Sequence, residues 1–244
     1  MPLVEGIILR TYRLNNNYCF CRLLTKFGLI SFSVSKAIRQ KFQQTEELTL
    51  GEFDLRYNRS LTNLEMKDAE IIPIESVAIT RKRFYSLKIA QDIVLDTYDG
   101  LDANQFEKVY ESFLELVRSS FLCPKVVTSN TIGFLAYYRK LLGCSFEINQ
   151  CSRCGNTISI NGYSLLNQGF VCANCFDPRE CISISEPEFR AIRRLFESNE
   201  LDLNKLSVPQ SIEKKLLEHM LLLFQYDFNT KTKIRDELLE LLVE

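Results

Sequence analysis

Histidine occurs once in the 244 residues, at His219. With no His-x-Glu, the zinc deaminase signature is excluded. His219 lies in "LLEHMLLLF" with Leu216 and Leu223 as helical neighbours, so it reads as a packed or half-exposed side chain rather than a ligand or base. The nine glycines never fall into G-x-x-x-x-G-K, G-x-G-x-x-G or G-x-S-x-G, which removes phosphate loops and the nucleophile elbow. Long apolar runs are also missing. The longest are stretches such as "MLLLF" at 220–224, too short to span a bilayer. "MPLVEGIILR" is broken by Glu5 and does not read as a signal peptide. Repeats and low-complexity tracts are absent. The expectation is a cytoplasmic protein without membrane contact, and no enzyme announces itself.

Hydrophobic residues at 46% and charged residues at 25% are those of a globular chain able to bury cores. The net charge of −1 conceals an asymmetry. Residues 1–45 hold seven Lys and Arg against one acid, a balance of +6, and the remainder holds 23 bases against 30 acids, −7. A polyanion site and a solvated charged face explain this equally well.

The first 72 residues read as five strands: "LVEGIILRTY", "NYCFCRLLT", "GLISFSVSK", "LTLGEFDLRY" and "LTNLEMKDAEII". "TKFG" and "YNRS" mark tight turns. In "LISFSVS", Ile30, Phe32 and Val34 take one face and Ser31, Ser33 and Ser35 the other. Five short strands suit an OB-fold barrel, and an SH3-like barrel fits almost as well. After Pro73 the apolar period becomes helical: Val77, Phe84, Leu87, Ile89, Ile93 and Val94 from Ile74 to about Asp99. A second helix, capped by Asp102, runs to about Phe121, and a third covers roughly 130–142. Further helices are expected near 186–198, 210–227 and 232–243, the first with Pro187 in its opening turn. The fold class is α+β. Expected domains are 1–75 (OB-fold barrel), 76–145 (helical, first part), 146–180 (zinc ribbon) and 181–244 (helical, second part).

Cys151, Cys154, Cys172 and Cys175 form two Cys-x-x-Cys pairs with seventeen residues between them. This is the spacing of a zinc site, each pair wrapping half of a tetrahedral ion. Catalytic zinc keeps a position open, whereas all four positions here are filled by thiolates. A redox pair would need a βαβ context that is lacking. One structural zinc is expected, stapling a segment too short to own a core. "TISINGYSLL" reads as two strands with Asn161-Gly162 as the hairpin turn. Cys19 and Cys21 share a strand face and read as small hydrophobes; Cys123, Cys144 and Cys181 read as structural.

Tyr12, Tyr18, Phe20, Phe27, Phe32 and Phe42 are interleaved with the N-terminal cations. They suit base stacking beside a cationic track, or a barrel core. "SKAIRQKFQQT" (35–45) is acid-free and reads as a loop. The candidate nucleic-acid residues are Arg13, Arg22, Lys26, Lys36, Arg39, Lys41 and Phe42. A second candidate, for an acidic peptide partner, sets Arg190, Arg193 and Arg194 beside Phe189, Ile192 and Phe196; an amphipathic helix with arginines in water explains the same pattern.

"EGIILRTYRLNNNYCFCRLLTKFGLISFSVSKAIR", "LTNLEMKDAEII", and "FLAYYRKLLGCSFEINQCSRCG" closed by "GFVCANC" together resemble the RecO family of bacterial recombination mediators, over nearly the whole chain. The resemblance implies an OB-fold followed by helices carrying a zinc finger. It also implies binding of single- and double-stranded DNA, annealing of complementary strands, and loading of RecA, with RecR, onto DNA coated by single-strand-binding protein. The tail of that protein would be the acidic peptide for the second site. A zinc-ribbon RNA-binding module and a protein adaptor remain the rival readings.

Overall fold

The computed structural model describes residues 3–41, 47–60, 62–72, 80–122, 126–197, 203 and 208–230. They form two compact units, Met1–Ala78 with Tyr98–Leu122, and Ile79–Thr97 with Cys123–Glu244.

Alternating apolar residues build β1 (Val4–Arg13), β2 (Tyr18–Thr25), β3 (Gly28–Ser35), β4 (Leu50–Asn58) and β5 (Asn63–Ile71). They close into a barrel in the order β1-β2-β3-β5-β4, with β1 antiparallel to β4 and β3 parallel to β5. That order is the OB-fold's, which decides between the two expected barrels. Ile8, Cys21, Leu23, Phe32, Val34, Phe53, Leu55 and Met66 fill the interior, with Phe32 and Phe53 ring centroids 6.0 Å apart. Burial of each large side chain here stabilises by about 1.5–3 kcal/mol. Ser33, expected outside, is buried because β5 lies alongside it; its hydroxyl donates to the Leu64 carbonyl and Asn63 Oδ1, each at 3.3 Å.

An irregularity between Ile8 and Arg10 sets which side chains of β1 face out. Ile8–Leu23 and Thr11–Cys21 point inward, while the cross-strand pairs Ile7–Leu24, Arg10–Arg22 and Tyr12–Phe20 point outward. Residues 36–41, expected as loop, form a short helix α1 (Lys36–Lys41) whose Ile38 packs against the barrel core. One apolar residue aimed at the barrel mouth was enough to order a polar stretch.

The helix α3 (Phe106–Leu122) belongs to the barrel unit and packs on β2 and β3. A 3₁₀ turn leads into it, and Asp102 N–H donates to Gln105 Oε1 at 2.9 Å. Tyr110 Oη donates to Glu5 at 2.6 Å, and burial with that carboxylate pushes the phenol well above its usual range. Tyr98 and Phe106 stack 5.1 Å apart beside Gly28, whose φ of +128° strains any side chain and whose Cβ would press on both rings, 3.1 Å from Tyr98 Oη. Outward Ile7 and Leu24 are fully buried on this side of the wall.

The second unit contains α2 (Arg81–Thr97), α4 (Val127–Leu141), α5 (Glu186–Glu197), α6 (Gln210–Phe228) and a small sheet. The α2 helix begins later than its apolar period suggested: Thr80 Oγ1 accepts the Arg83 N–H at 3.3 Å, the usual role of a threonine cap. Phe84 is exposed; Leu87, Ile89, Ile93 and Val94 are core, and Val77 lies outside the described residues. So does the helix expected at 232–243. Tyr138 lies between Phe134 and Phe224, at 5.7 and 6.2 Å. Arg139, fully buried, donates Nε and Nη2 to Asp227 at 2.9 and 2.7 Å; Nη1 reaches the Ser145 carbonyl and Gln168 binds the other Asp227 oxygen. A buried charge is tolerable only with such complete pairing. Among the described residues no helix is long and apolar enough to cross a membrane.

His219 is a core residue, 4% exposed, its ring edge-on to Tyr163 at 5.2 Å and its Nδ1 without a partner. Burial drives its pKa from 6.5 down to about 4; the Glu188 charge opposes that shift and Lys215 adds to it. Because the unfolded chain takes the proton first, stability is complete above about pH 6.5. It should fall by up to about 3 kcal/mol as the pH drops towards 4. The chain's sole histidine gives a single imidazole resonance, so NMR titration reads the value directly. Denaturant melts at pH 7 and 5 should lose most of their difference in His219→Gln.

Candidate nucleic-acid interface and metal centre

The cysteine segment folds as a three-stranded sheet, order β7-β6-β8, from β6 (Ile160–Ser164), β7 (Gly169–Cys172) and β8 (Cys181–Ser183). Asn161-Gly162 is not its turn, as expected from sequence, but lies inside β6 at an irregularity; the chain reverses at 165–168, with Gln168 at φ +45°. The glycine answers a different need. A Cβ on Gly162 would collide with the Ile182 carbonyl and come within 2.6 Å of the Phe176 ring, so only glycine lets β8 pair here.

This sheet and the first knuckle bring Cys151, Cys154, Cys172 and Cys175 together, their sulfurs all within 4.8 Å of one another. Gly155, at φ +73°, turns the knuckle and donates its N–H to the Cys151 carbonyl at 2.8 Å. Tetrahedral thiolate ligation at about 2.3 Å sets sulfurs about 3.8 Å apart. Cys154 and Cys172 stand at 3.7 Å, so the donor set fits a metal ion. Burial opposes the Cys151 thiolate, but the N–H groups of Cys172, Arg153 and Cys154 outweigh it and bring the pKa to about 6. Cys175 is pushed up to about 12, chiefly by hydrogen bonding with the Cys154 and Cys172 thiols. A bound cation supplies the charge that four adjacent thiolates need. Cys181 packs beside Cys151, Val171 and Cys172 but is not one of the four.

At the mouth of the barrel, the β1–β2 turn and α1 enclose a cavity of about 500 Å³, lined by Arg13, Asn15, Asn16, Asn17, Tyr18, Cys19, Val34, Lys36, Arg39 and Gln40. Its described lining residues include three cations and no carboxylate. Asn15 Oδ1 accepts the N–H groups of Asn17 and Tyr18 at 2.8 and 2.9 Å, and Arg13 donates to Asn16 at 2.9 Å. Lys36 N–H donates to the Asn17 carbonyl at 2.7 Å, joining the turn to α1. Arg39 reaches Cys19 Sγ at 3.2 Å. Rigid loops at this end of an OB barrel are where nucleic acids meet the fold.

The structure therefore gathers Arg13, Lys36 and Arg39. Arg22 stands apart, outward on the wall, and Lys26 caps the β2–β3 turn at the other end, over the exposed Phe27 ring at 5.1 Å. Phe42 and the Lys41 side chain lie outside the described residues. Of the interleaved aromatics, Phe32 is core, while Tyr12, Tyr18 and Phe20 alternate outward. Sequence reasoning missed the three asparagines of "LNNNY", which shape the cavity and carry no charge signal. It also left out Arg10, two residues before Tyr12 and so on the same strand face.

On α5 the expected apolar edge faces the core. Ile192 and Phe196 are buried, with Phe196 stacked on Phe146 at 4.9 Å and Phe189 against Phe170 at 4.7 Å. Arg190 and Arg193 pair with Glu186 and Glu197 at 2.9 and 2.8 Å. Arg190 and Arg194, with Glu186, Pro187, Ala191 and Pro209, line a cavity of about 290 Å³.

These features define a class: an OB-like barrel followed by helices that carry a four-cysteine ribbon. The model of the Recombination protein O C-terminal family matches residues 78–235, and the chain belongs to the RecO family. It is similar to the protein named DNA repair protein RecO of Oceanobacillus iheyensis, 23% identical over 214 residues, covering 83% of this chain and 78% of the relative. The protein of that name from Bacillus pumilus is 25% identical over 232 residues, covering 88% and 86%. That of Mesoplasma florum is 23% identical over 235 residues, covering 93% and 85%.

One metal ion per chain should survive purification without chelator. Cys172→Ser should lose it and melt lower, on the order of 5–10 °C. Cys19→Ser should keep full metal content. Elemental analysis beside thermal melts of the same samples checks both.

Proposed function

We propose that this protein is a recombination mediator in DNA repair, which binds single- and double-stranded DNA through its barrel and anneals complementary strands. The observation that carries this reading is the cavity at the barrel mouth, where Arg13, Lys36 and Arg39 converge with no carboxylate among the described lining residues. Phosphate contacts of this kind are independent of sequence and strongly dependent on salt. Annealing follows from the same charges, since two strands approach only when their phosphates are neutralised. Arg22 on the barrel wall, Lys26 at the opposite turn and, from the sequence, Lys41 and Phe42 are further candidates for contact with the strand. Family membership and relatives named for DNA repair support the biological setting.

Within that setting the protein acts with RecR to load RecA onto DNA coated by single-strand-binding protein, in the cytoplasm, without catalysing covalent chemistry. The acidic tail of single-strand-binding protein would meet α5 through Arg190 and Arg194. Their cavity has an apolar floor of Pro187, Ala191 and Pro209 suited to a hydrophobic terminus beside carboxylates. Arg193 is turned to Glu197, and Phe189, Ile192 and Phe196 support the helix from beneath. The metal is zinc, held by Cys151, Cys154, Cys172 and Cys175, and its role is to fold the ribbon.

Binding of a single strand should weaken steeply with salt, by about 0.7 log units per log unit for each phosphate contact. Changing Arg13, Lys36 and Arg39 together to Ala should flatten that slope by roughly two units and slow annealing. Circular dichroism should show the fold intact, since all three side chains are exposed. A folded triple mutant with the original slope and annealing rate would remove the barrel mouth from the site.

A further inference from the structure

One wall of the barrel carries the charge opposite to that of its mouth. Glu5 on β1 stands opposite Glu52 on β4, and Glu52 stands opposite Glu70 on β5, so three carboxylates form one row across three strands. Asp54–Asp68 is the adjoining outward pair. All five point away from the core, because Val4, Phe53, Leu55, Ala69 and Ile71, their neighbours along the strands, belong to it.

Like charges directly opposite on neighbouring strands destabilise a sheet. The cations of this wall do not offset the row, since Asp54 holds Arg56 and Glu65 holds Lys67, each at 2.7 Å. Glu5 accepts from the Tyr110 hydroxyl. Among the described residues no cation pairs with Glu52, which is half-buried, or with Glu70, which is exposed. A cationic partner seated on the row would remove the repulsion.

The chain itself supplies a surface of matching charge and size. Arg13, Lys36 and Arg39 line one cavity, and none of the three forms an ion pair among the described residues. Its volume of about 500 Å³ is that of a space about 10 Å across, and a row on three adjacent strands spans two spacings of about 4.8 Å. Within one copy the two surfaces stay apart. Glu5 and Arg13 lie near opposite ends of β1, about 26 Å along the strand, and β4 and β5 close the barrel on the side away from β2. A second copy can bring a mouth onto the row. Such a contact joins unlike surfaces, leaving a free row on one copy and a free mouth on the other, so association continues head to tail.

We infer that the carboxylate row of Glu5, Glu52 and Glu70 docks a second copy of this chain through its barrel mouth, and that a nucleic-acid strand displaces that copy. The docking stands on charge and register; the displacement rests on the DNA-binding reading. The carboxylates stand in for phosphates, so the mouth of a copy without DNA is covered until a polyanion of higher charge density arrives.

Sedimentation of the full chain without DNA tests the docking. The Debye length falls from about 30 Å at 0.01 M salt to about 8 Å at 0.15 M, so the weight-average mass should rise at least about twofold at low salt and return to the monomer's as salt is added. Glu52→Gln with Glu70→Gln should stay monomeric at low salt, and so should Arg13→Ala with Lys36→Ala and Arg39→Ala. Mixed in equal amounts, the two variants should form a dimer and nothing larger, because one retains the mouth and the other the row. That rescue also shows both variants to be folded.

A wild type that remains monomeric at low salt overturns the docking, as does association that persists in Glu52→Gln with Glu70→Gln. Variants that are folded by circular dichroism and fail to pair when mixed overturn it too. A saturating short oligo-dT should return the wild-type assemblies to single copies, each with its strand. Assemblies that persist with the strand bound overturn the displacement and leave the docking standing. A protein that assembles but binds no oligo-dT overturns the DNA-binding reading, and the displacement with it, while the docking stands.

Discussion

The parallel seam between β3 and β5 is the constraint on which the barrel end depends. It consists of two residue pairs, Phe32–Leu64 and Ser33–Glu65, formed across some thirty residues of chain. Every other barrel contact is antiparallel, and most join strands adjacent in sequence. The seam removes the free edges of β3 and β5 and buries Phe32 against Phe53. It also fixes where the chain goes after Ser35. With β5 alongside, α1 must turn back over the mouth, where Ile38 finds the core. That single apolar contact sets Lys36 and Arg39 opposite Arg13, and the cationic cavity is the result.

Much of the barrel was legible because period-two alternation in a half-buried strand is a direct image of its environment. The zinc-type spacing was legible for the same reason, since ligand geometry leaves a fixed interval in the chain. Other features left weaker traces. Asn161-Gly162 carries a turn composition, yet Gly162 answers a steric demand from Ile182 and Phe176 that only the third strand creates. The arginines of α5 suggested a binding edge, but their phenylalanine neighbours are the helix's buried stripe. In an amphipathic helix both faces exist in the sequence, and which one meets solvent is a tertiary fact. Arg139 gave no signal at all, because a single cation in a helix is indistinguishable from a solvated one until Asp227 and Gln168 are placed beside it.

The two units differ in how their charges are placed. In the barrel unit, Arg13, Lys36 and Arg39 gather at one cavity with no carboxylate among its described lining residues, and the Tyr12 and Phe27 rings remain exposed. In the other, charge is paired or buried: Arg139 with Asp227, Glu188 with Lys215 at 2.8 Å, and the four thiols gathered around one point. Groups already satisfied within the fold have little to offer a ligand. Cations gathered on an ordered surface have more, and the proposed DNA site rests on this contrast rather than on net charge.

The central claim is that DNA is held at the barrel mouth, and photo-crosslinking tests it most directly. A single strand bearing iodo-deoxyuridine would be irradiated in complex with the full chain and the adducts mapped by peptide mass spectrometry. The account predicts adducts within residues 13–19 and 34–40, which line the cavity, lost when salt is raised enough to release the strand. Adducts confined to residues 126–230, with the barrel peptides unmodified, would contradict it.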